Sequence, residues 1–190
     1  MAKKKNAKKT KLKQTSTKSA KIKARFVGER VVSNSKAAFD LYSQSRFGEP
    51  ADSKINYSLV EALYLLEKGK MDIELNKKRL KSESFLDAAR KSEMNFYVRY
   101  KVYKDLRNRG YIIKTALKFG ADFRVYEKGV KPGEEHAKWI VYPVYETSGM
   151  TWHEFAAKNR VAHSTKKNLL IGIVDDEGDV TYYEIKWLRP

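Results

Sequence analysis

Three side chains that could take part in proton transfer or charge stabilisation, Tyr126, His136 and Lys167, lie next to predicted strands. His136 follows a polar loop, and an imidazole with its ordinary pKa of about 6.5 can give or take a proton near neutrality. Tyr126 ends the strand before that loop, so one loop could bring both side chains to the same rim of a sheet. Lys167 precedes an apolar strand and could direct its ammonium into a cleft. On these positions alone, a surface histidine, a core or surface tyrosine and a solvated lysine remain the default interpretations.

Several other kinds of chemistry are excluded or disfavoured by composition. The chain has no cysteine, which excludes disulfides, cysteine-ligated zinc and thiol nucleophiles. The other two histidines, His153 and His163, lie at the two ends of one predicted helix, where structural roles are expected. Three scattered histidines without metal-ligand spacing do not indicate a zinc site. No metal and no cofactor are therefore predicted.

The charge of the chain is strongly asymmetric. The formal net charge is +17, of which the first 28 residues carry +11 without a single acid. A lysine-rich segment of this kind cannot bury enough apolar surface to fold, so residues 1–22 are predicted to be a disordered tail. The tail could serve solubility alone or attract phosphates nonspecifically. The remaining residues are also basic, which favours a nucleic-acid partner without identifying the polymer.

The hydropathy pattern predicts a soluble, cytoplasmic protein with no membrane association. No apolar stretch approaches the roughly 18 residues that cross a bilayer. The basic N-terminus lacks the apolar segment of a secretory signal. An apolar fraction of 42% is in the globular range, so the chain can bury a substantial core.

The elements that must position the candidate residues fall into two predicted units. Residues 23–90 are expected to form an N-terminal α+β unit. Within it, Ser58 and Glu61 make a capping box at the start of a helix that stops near Gly69. Residues 23–33, before that helix, are predicted to form a short strand pair or an extended entry segment, and residues 71–75, after it, a brief strand.

Residues 93–190 are predicted to form an α/β, nuclease-like C-terminal domain with a central mixed sheet. Its first helix places Phe96, Tyr100 and Tyr103 at the spacing of a buried face. A second helix begins at Thr151, which makes a capping box with Glu154. Five strands are predicted from the alternation of apolar residues, in residues 111–115, 122–126, 139–144, 169–174 and 180–187.

Five segments of the C-terminal domain carry distinctive residue patterns, which are DLRNRGY (105–111), KFGADFRVY (118–126), HAKWIV (136–141), AHSTKKNLL (162–170) and VDDEGDVTYYEIKW (174–187). These segments resemble the catalytic domain of the tRNA-splicing endonucleases, and in particular of their archaeal form. YSLVEALYLLEKGK (57–70) resembles the helix that precedes that domain. The resemblance covers most of the chain from about residue 24.

The resemblance implies a metal-independent active site made of Tyr126, His136 and Lys167. Lys167 is preferred to the adjacent Lys166 because it lies two residues before the apolar strand. Tyr126 would remove the proton of the ribose 2′-hydroxyl, with nearby cations such as Lys167 favouring its phenolate. His136 would protonate the leaving 5′-oxygen, and Lys167 would hold the nonbridging oxygens. The expected products carry a 2′,3′-cyclic phosphate and a 5′-hydroxyl.

The resemblance also implies a substrate, precursor tRNA folded into a bulge-helix-bulge, and a homotetrameric assembly. Bulged bases can be splayed out and stacked on a guanidinium, for which Arg160 is the candidate, although a plain helix-surface arginine fits equally well. Two cut sites need two active sites at fixed separation. An acidic loop, matched by Asp175, Asp176, Glu177 and Asp179, would dock into a neighbouring subunit, and the same residues also fit an ordinary hairpin turn.

Two other functions remain open from the residues. A metal-dependent nuclease could hold magnesium with Asp175, Asp179 and Glu184 beside Lys186. Alternation on a strand puts Glu184 and Lys186 on one face, which is equally an ordinary charged surface. A noncatalytic RNA-binding subunit would use the basic surface without cleaving RNA.

Overall fold

The structure is a computed structural model that describes residues 20–117 and 120–188. Most of the predicted disordered tail, residues 1–22, lies outside this part of the chain. Ile22 is an exception, because it is buried and begins the first strand opposite Met71. The first sheet therefore includes one residue of the predicted tail.

The described elements alternate between short strands and helices. Their bounds in chain order are β1 (Ile22–Val27), β2 (Arg30–Ser33), α1 (Lys36–Ser45), β3 (Glu49–Ala51), β4 (Lys54–Tyr57), α2 (Leu59–Glu67), β5 (Met71–Leu75), β6 (Lys78–Arg79), α3 (Ser82–Ser92), α4 (Phe96–Asn108), β7 (Ile112–Thr115), β8 (Phe123–Tyr126), β9 (Trp139–Tyr145), α5 (Trp152–Ser164), β10 (Asn168–Val174) and β11 (Val180–Ile185). None of these helices is long and apolar enough to span a membrane.

The first sheet has the strand order β3-β4-β2-β1-β5-β6, with β1 and β5 parallel and the other pairs antiparallel. Helix α1 ends at Ser45 with Arg46 as a left-handed cap, and Glu49 and Pro50 begin β3. A proline is tolerated there because β3 is an edge strand, where a backbone N–H is not needed for pairing on the open side.

Helix α2 begins with the predicted capping box and is buried nearly all round. Glu61 N–H donates to Ser58 Oγ over 3.4 Å, and Ser58 N–H donates to Glu61 Oε2 over 3.1 Å. Every residue from Leu59 to Leu65 is buried, rather than a single apolar stripe. The reason is that α2 contacts the first sheet as well as α3 and α4.

The second sheet is mixed, as predicted, with the order β11-β10-β9-β8-β7 and one parallel pair, β9 with β10. Its residues alternate between two cores, so the sheet is covered on both faces. Val141 and Leu170 face the larger core, whereas Ile140 and Leu169 pack with α5 residues in a smaller one. Burial on both faces explains the nearly continuous apolar run of β10.

Helix α4 joins the two units through one core. Phe96, Tyr100 and Tyr103 are buried, which confirms the predicted core stripe. The same core cluster holds Ile22 of β1 and Val174 of β10. The N-terminal unit is therefore packed against the C-terminal sheet through α4.

Candidate active site

The pairing of three strands brings the ends of distant segments to one rim of the second sheet. β8 runs antiparallel to β9, with Val125 opposite Trp139, and β9 runs parallel to β10, with Trp139 opposite Asn168. The C-terminal end of β8 therefore lies beside the N-terminal ends of β9 and β10. Tyr126, His136 and Lys167 belong to these three ends.

Tyr126, His136 and Lys167 line one cavity of about 380 Å³. Tyr126 is buried, Lys167 is half-buried and His136 is exposed, so the cavity extends from the sheet to solvent. The full set of lining residues is Arg124, Tyr126, Gly133, Glu134, Glu135, His136, Ala137 and Lys167.

Backbone hydrogen bonds fix the segment that carries His136 on the sheet. Lys138 N–H donates to the Val125 carbonyl, and the Lys138 carbonyl accepts from Asn168 N–H, both over 2.9 Å. Ala137 is buried beside the exposed His136. The histidine thus projects from a short segment whose far end is held by both neighbouring strands.

The end of α5 determines which of two adjacent lysines enters the cavity. Lys166 has a left-handed backbone with φ of 55°, and its N–H donates to the His163 carbonyl. Lys167 N–H donates to the Ala162 carbonyl, which completes a Schellman motif at the helix end. Lys166 is exposed, whereas Lys167 lines the cavity and its Nζ donates to the Thr165 carbonyl over 2.7 Å.

The electrostatics of Tyr126 differ from the expectation that nearby cations favour its phenolate. Burial raises the pKa of Tyr126 and outweighs the opposing effect of the Arg124 guanidinium, while Glu49 adds to the rise. The phenol is therefore neutral near pH 7. Desolvation is the larger effect because Tyr126 lies at the buried end of the cavity.

Burial lowers the pKa of Lys167, and the positive charge of Arg124 lowers it further. Both effects disfavour the ammonium form, so a bound anion would be attracted by two neighbouring cations. Arg124 was not assigned a role from the sequence. Its position two residues before Tyr126 on a strand was the available signal, since residues i and i+2 share a face.

Comparison with known proteins identifies the family. A model of the catalytic C-terminal domain of tRNA intron endonucleases matches residues 96–182, and a model of their N-terminal domain matches residues 22–86. The chain belongs to the tRNA intron endonuclease family. It therefore carries the catalytic domain of an endoribonuclease.

Archaeal relatives support the assignment to the tRNA intron endonuclease family over most of the chain. A tRNA-splicing endonuclease of Thermococcus gammatolerans is 41% identical over 163 residues, covering 85% of this chain and 95% of the relative. One from Nanoarchaeum equitans is 48% identical over 138 residues, covering 70% and 88%. One from Methanothermobacter thermautotrophicus is 40% identical over 150 residues, covering 79% and 87%.

The structure places Arg160 in a different cavity from the candidate triad. Arg160 is exposed on α5 and lines a cavity of about 660 Å³ with His163 and Trp187, whose rings lie 4.7 Å apart. A role in clamping a bulged base remains a prediction. His153 is exposed in the first turn of α5, within the helix that Thr151 and Glu154 cap as predicted.

The acidic loop connects β10 and β11 as a hairpin turn. Asp179 N–H donates to Asp175 Oδ1 over 2.7 Å, and Gly178 N–H donates to the Asp175 carbonyl over 3.1 Å. Asp176, Glu177 and Asp179 are exposed and Asp175 is half-buried. The hairpin turn is therefore present, and three carboxylates remain accessible to a partner.

The acids invoked for a metal-dependent nuclease do not come together. Glu184 lies opposite Leu170, whereas Asp175 and Asp179 lie beyond the Val174–Val180 pair at the other end of β11. The five residue steps from Asp179 to Glu184 span about 16 Å along the strand, too far for one ion. Glu184 instead accepts hydrogen bonds from Trp139 Nε1 and Asn168 Nδ2. Within residues 20–117 and 120–188, no group of three or more potential ligands is arranged to hold a metal.

Proposed function

We propose that this chain is a metal-independent endoribonuclease that excises introns from precursor tRNA at bulge-helix-bulge sites. The observation that carries the proposal is the single cavity shared by Tyr126, His136 and Lys167. A phenol, an imidazole and an ammonium at one site supply a base, an acid and a charge for RNA cleavage. The catalytic domain match and the archaeal relatives named tRNA-splicing endonuclease support the same function.

In the proposed reaction, RNA supplies its own nucleophile. Tyr126 accepts the proton of the 2′-hydroxyl, whose oxygen attacks the adjacent phosphorus. Because burial raises the pKa of Tyr126, the phenolate is a minor form near neutrality. It is this minor form that accepts the proton of the 2′-hydroxyl. The positive charge of Arg124 favours this minor form.

His136 and Lys167 act on the leaving oxygen and on the nonbridging oxygens of the phosphate. His136, at the exposed end of the cavity, protonates the 5′-oxygen as the bond to phosphorus breaks. The Lys167 ammonium stabilises the negative charge that grows on the nonbridging oxygens. The 2′-oxygen stays bonded to phosphorus, so the products carry a 2′,3′-cyclic phosphate and a 5′-hydroxyl.

A bulge-helix-bulge substrate suits an open cavity at the rim of a sheet. Bases in an A-form helix are hidden, whereas bulged nucleotides can be splayed out and stacked on a side chain. The exposed Arg160, which lines a cavity together with Trp187, is the proposed clamp for one such base. The cut phosphate would then occupy the cavity of the triad.

We further propose that the enzyme works as a homotetramer. Each chain has one triad, and a substrate with two cut sites requires two triads at a fixed separation. The exposed carboxylates of Asp176, Glu177 and Asp179 are the proposed contact with a neighbouring subunit. Replacing them together by their amides is expected to shift the mass measured by light scattering from four chains to fewer.

The experiment that tests the function is cleavage by the His136→Ala variant in excess chelator, with His153→Ala as the matched control. The expected result is a rate reduced by roughly 10² to 10⁴-fold for His136→Ala, with unchanged binding of the RNA. The His153→Ala protein should cleave at the wild-type rate. Equal rates for wild type and His136→Ala would refute the proposed role of His136, and loss of RNA binding would show a different role.

A further inference from the structure

Arg124 lies on the same face of β8 as Tyr126. The two residues are separated by Val125, whose side chain points to the larger core on the opposite face. Arg124 lines the cavity of about 380 Å³ together with Tyr126, His136 and Lys167. A guanidinium is thus part of the wall of the proposed active site.

The guanidinium of Arg124 is only weakly engaged by its neighbours, and 32% of its side chain is exposed. Its Nε is buried and makes no hydrogen bond to any residue within 20–117 or 120–188. Its Nη2 lies 3.9 Å from Glu49 Oε1, a separation at the outer limit of an ion pair. By contrast, Arg109 uses its Nε in a 2.8 Å bond to Asp105 Oδ2. Glu49 is therefore close enough to orient the guanidinium of Arg124, but the two side chains do not form a short ion pair.

The field of Arg124 acts on two members of the proposed triad. It lowers the pKa of Tyr126 against the effect of burial, and it adds to the lowering of the pKa of Lys167. Two cations close enough to disfavour one another are stabilised by an anion between them. Glu134 and Glu135 also line the cavity, but both are exposed to solvent, which weakens their opposing effect.

We propose that Arg124 is a second phosphate-binding residue, which holds nonbridging oxygens of the phosphodiester together with Lys167 while Glu49 orients its guanidinium. The proposal rests on the proposed cleavage of RNA at this cavity. A guanidinium suits the task because its planar set of donors can contact two phosphate oxygens at once, whereas an ammonium acts as a point charge. Glu49 belongs to β3, so the N-terminal unit would help to shape the active site.

The test compares Arg124→Gln, Arg124→Lys and Glu49→Gln with the control Arg79→Gln. Arg79 is exposed, pairs with Asp72 on the first sheet and lies away from the cavity. Two quantities are measured for each full-length protein: the single-turnover cleavage of a bulge-helix-bulge RNA in chelator, and the inhibition constant of inorganic phosphate.

For Arg124→Gln we expect a cleavage rate constant about 10²-fold lower and weaker inhibition by phosphate, at an unchanged melting temperature. Arg124→Lys should recover part of the rate, because the charge remains but the paired contact is lost. Glu49→Gln should show a smaller loss than Arg124→Gln. Arg79→Gln should match wild type.

Three results would overturn the role of Arg124. These are wild-type cleavage and phosphate inhibition in Arg124→Gln, equal losses in Arg124→Gln and Glu49→Gln, or a loss in Arg124→Gln that follows only from a lower melting temperature. Failure of the proposed function would look different. In that case the wild-type protein itself would leave the RNA uncut.

Discussion

Two lysines of the C-terminal domain, Lys114 and Lys167, occupy opposite electrostatic environments. Lys114 on β7 is 5% exposed, and its Nζ lies 3.4 Å from Glu61 Oε1 and donates to the Gly48 carbonyl. Lys167 lies near a second cation, and its pKa is lowered by burial and by Arg124. The first lysine is neutralised by an acid from the N-terminal unit, whereas the second is held where its charge is disfavoured.

The two environments suit different roles, a structural one for the charge of Lys114 and a functional one for the charge of Lys167. Glu61 accepts hydrogen bonds from Gly48 N–H over 3.0 Å and from Ser58 N–H over 3.1 Å, in addition to its contact with Lys114. Such a network fastens β7 to α2 and leaves little capacity for a ligand. A cation beside another cation contributes less to folding and more to binding an anion. The Lys114 site should therefore govern stability, and the Lys167 site should govern cleavage.

The largest expected effect is loss of stability in Lys114→Met. The substitution leaves the Glu61 carboxylate buried without its cation, which typically costs about 3–5 kcal/mol. The free energy of unfolding from urea titration measures it. Adding Glu61→Gln to Lys114→Met should recover part of the loss, because an amide keeps the capping contact without a buried charge. An unchanged unfolding midpoint in Lys114→Met would contradict a structural role for this pair.

Lys167→Met should show the opposite behaviour. We expect single-turnover cleavage to fall by about 10² to 10³-fold, as is typical when one preorganised charge-stabilising group is removed. The free energy of unfolding should stay close to that of wild type. Lys166→Met is the matched control, since Lys166 is adjacent but exposed and outside the cavity. If Lys166→Met lost activity and Lys167→Met kept it, the assignment of the catalytic lysine would be wrong.

The pKa of Lys167 itself can be measured by NMR of ¹³C-labelled lysine side chains. Burial and Arg124 both disfavour the ammonium, so the proton should be lost below the ordinary value of 10.5. As the pH rises, affinity for inorganic phosphate should therefore decline before an ordinary lysine would titrate. In Arg124→Gln the pKa should move part of the way back, because burial remains. A Lys167 pKa at or above 10.5 in wild type would contradict the clustered-cation account.

The smallest effect concerns the two capping boxes. Ser58→Ala removes a cap whose carboxylate partner is buried and shared with Lys114, whereas Thr151→Ala removes one whose partner Glu154 is exposed. Loss of an N-cap typically costs about 1 kcal/mol. We expect Ser58→Ala to reach the upper end of that range, near 2 kcal/mol, and Thr151→Ala to remain near or below 1 kcal/mol. Equal losses in thermal unfolding would show that the shared carboxylate adds nothing.

Local signals in the sequence were sufficient for helices α2, α4 and α5 and for most strands. Both capping boxes form as their Ser-x-x-Glu and Thr-x-x-Glu patterns predict, and the aromatic stripe of α4 is buried as its spacing predicts. The triad positions could be located at strand ends because β8, β9 and β10 have clear apolar alternation. That these ends share one cavity depends on strand order, which only the resemblance to a known family suggested.

The contacts that the sequence did not indicate join side chains that are far apart along the chain. The contact of Lys114 with Glu61 joins residues of two units, and nothing local distinguishes Lys114 from a solvated lysine. The same holds for Arg124 and Glu49, which meet only after β3 is placed near the second sheet. The raised pKa of Tyr126 also needs the folded chain, because desolvation depends on what covers the ring.

The most direct test of the central claim is the chemistry of the cut ends. Wild-type protein is incubated with a bulge-helix-bulge RNA in excess chelator, and the termini of the products are identified by mass spectrometry. Attack by the 2′-hydroxyl at the Tyr126–His136–Lys167 cavity predicts efficient cleavage with 2′,3′-cyclic phosphate and 5′-hydroxyl ends. Cleavage that requires added magnesium, or products with 3′-hydroxyl and 5′-phosphate ends, would contradict the account.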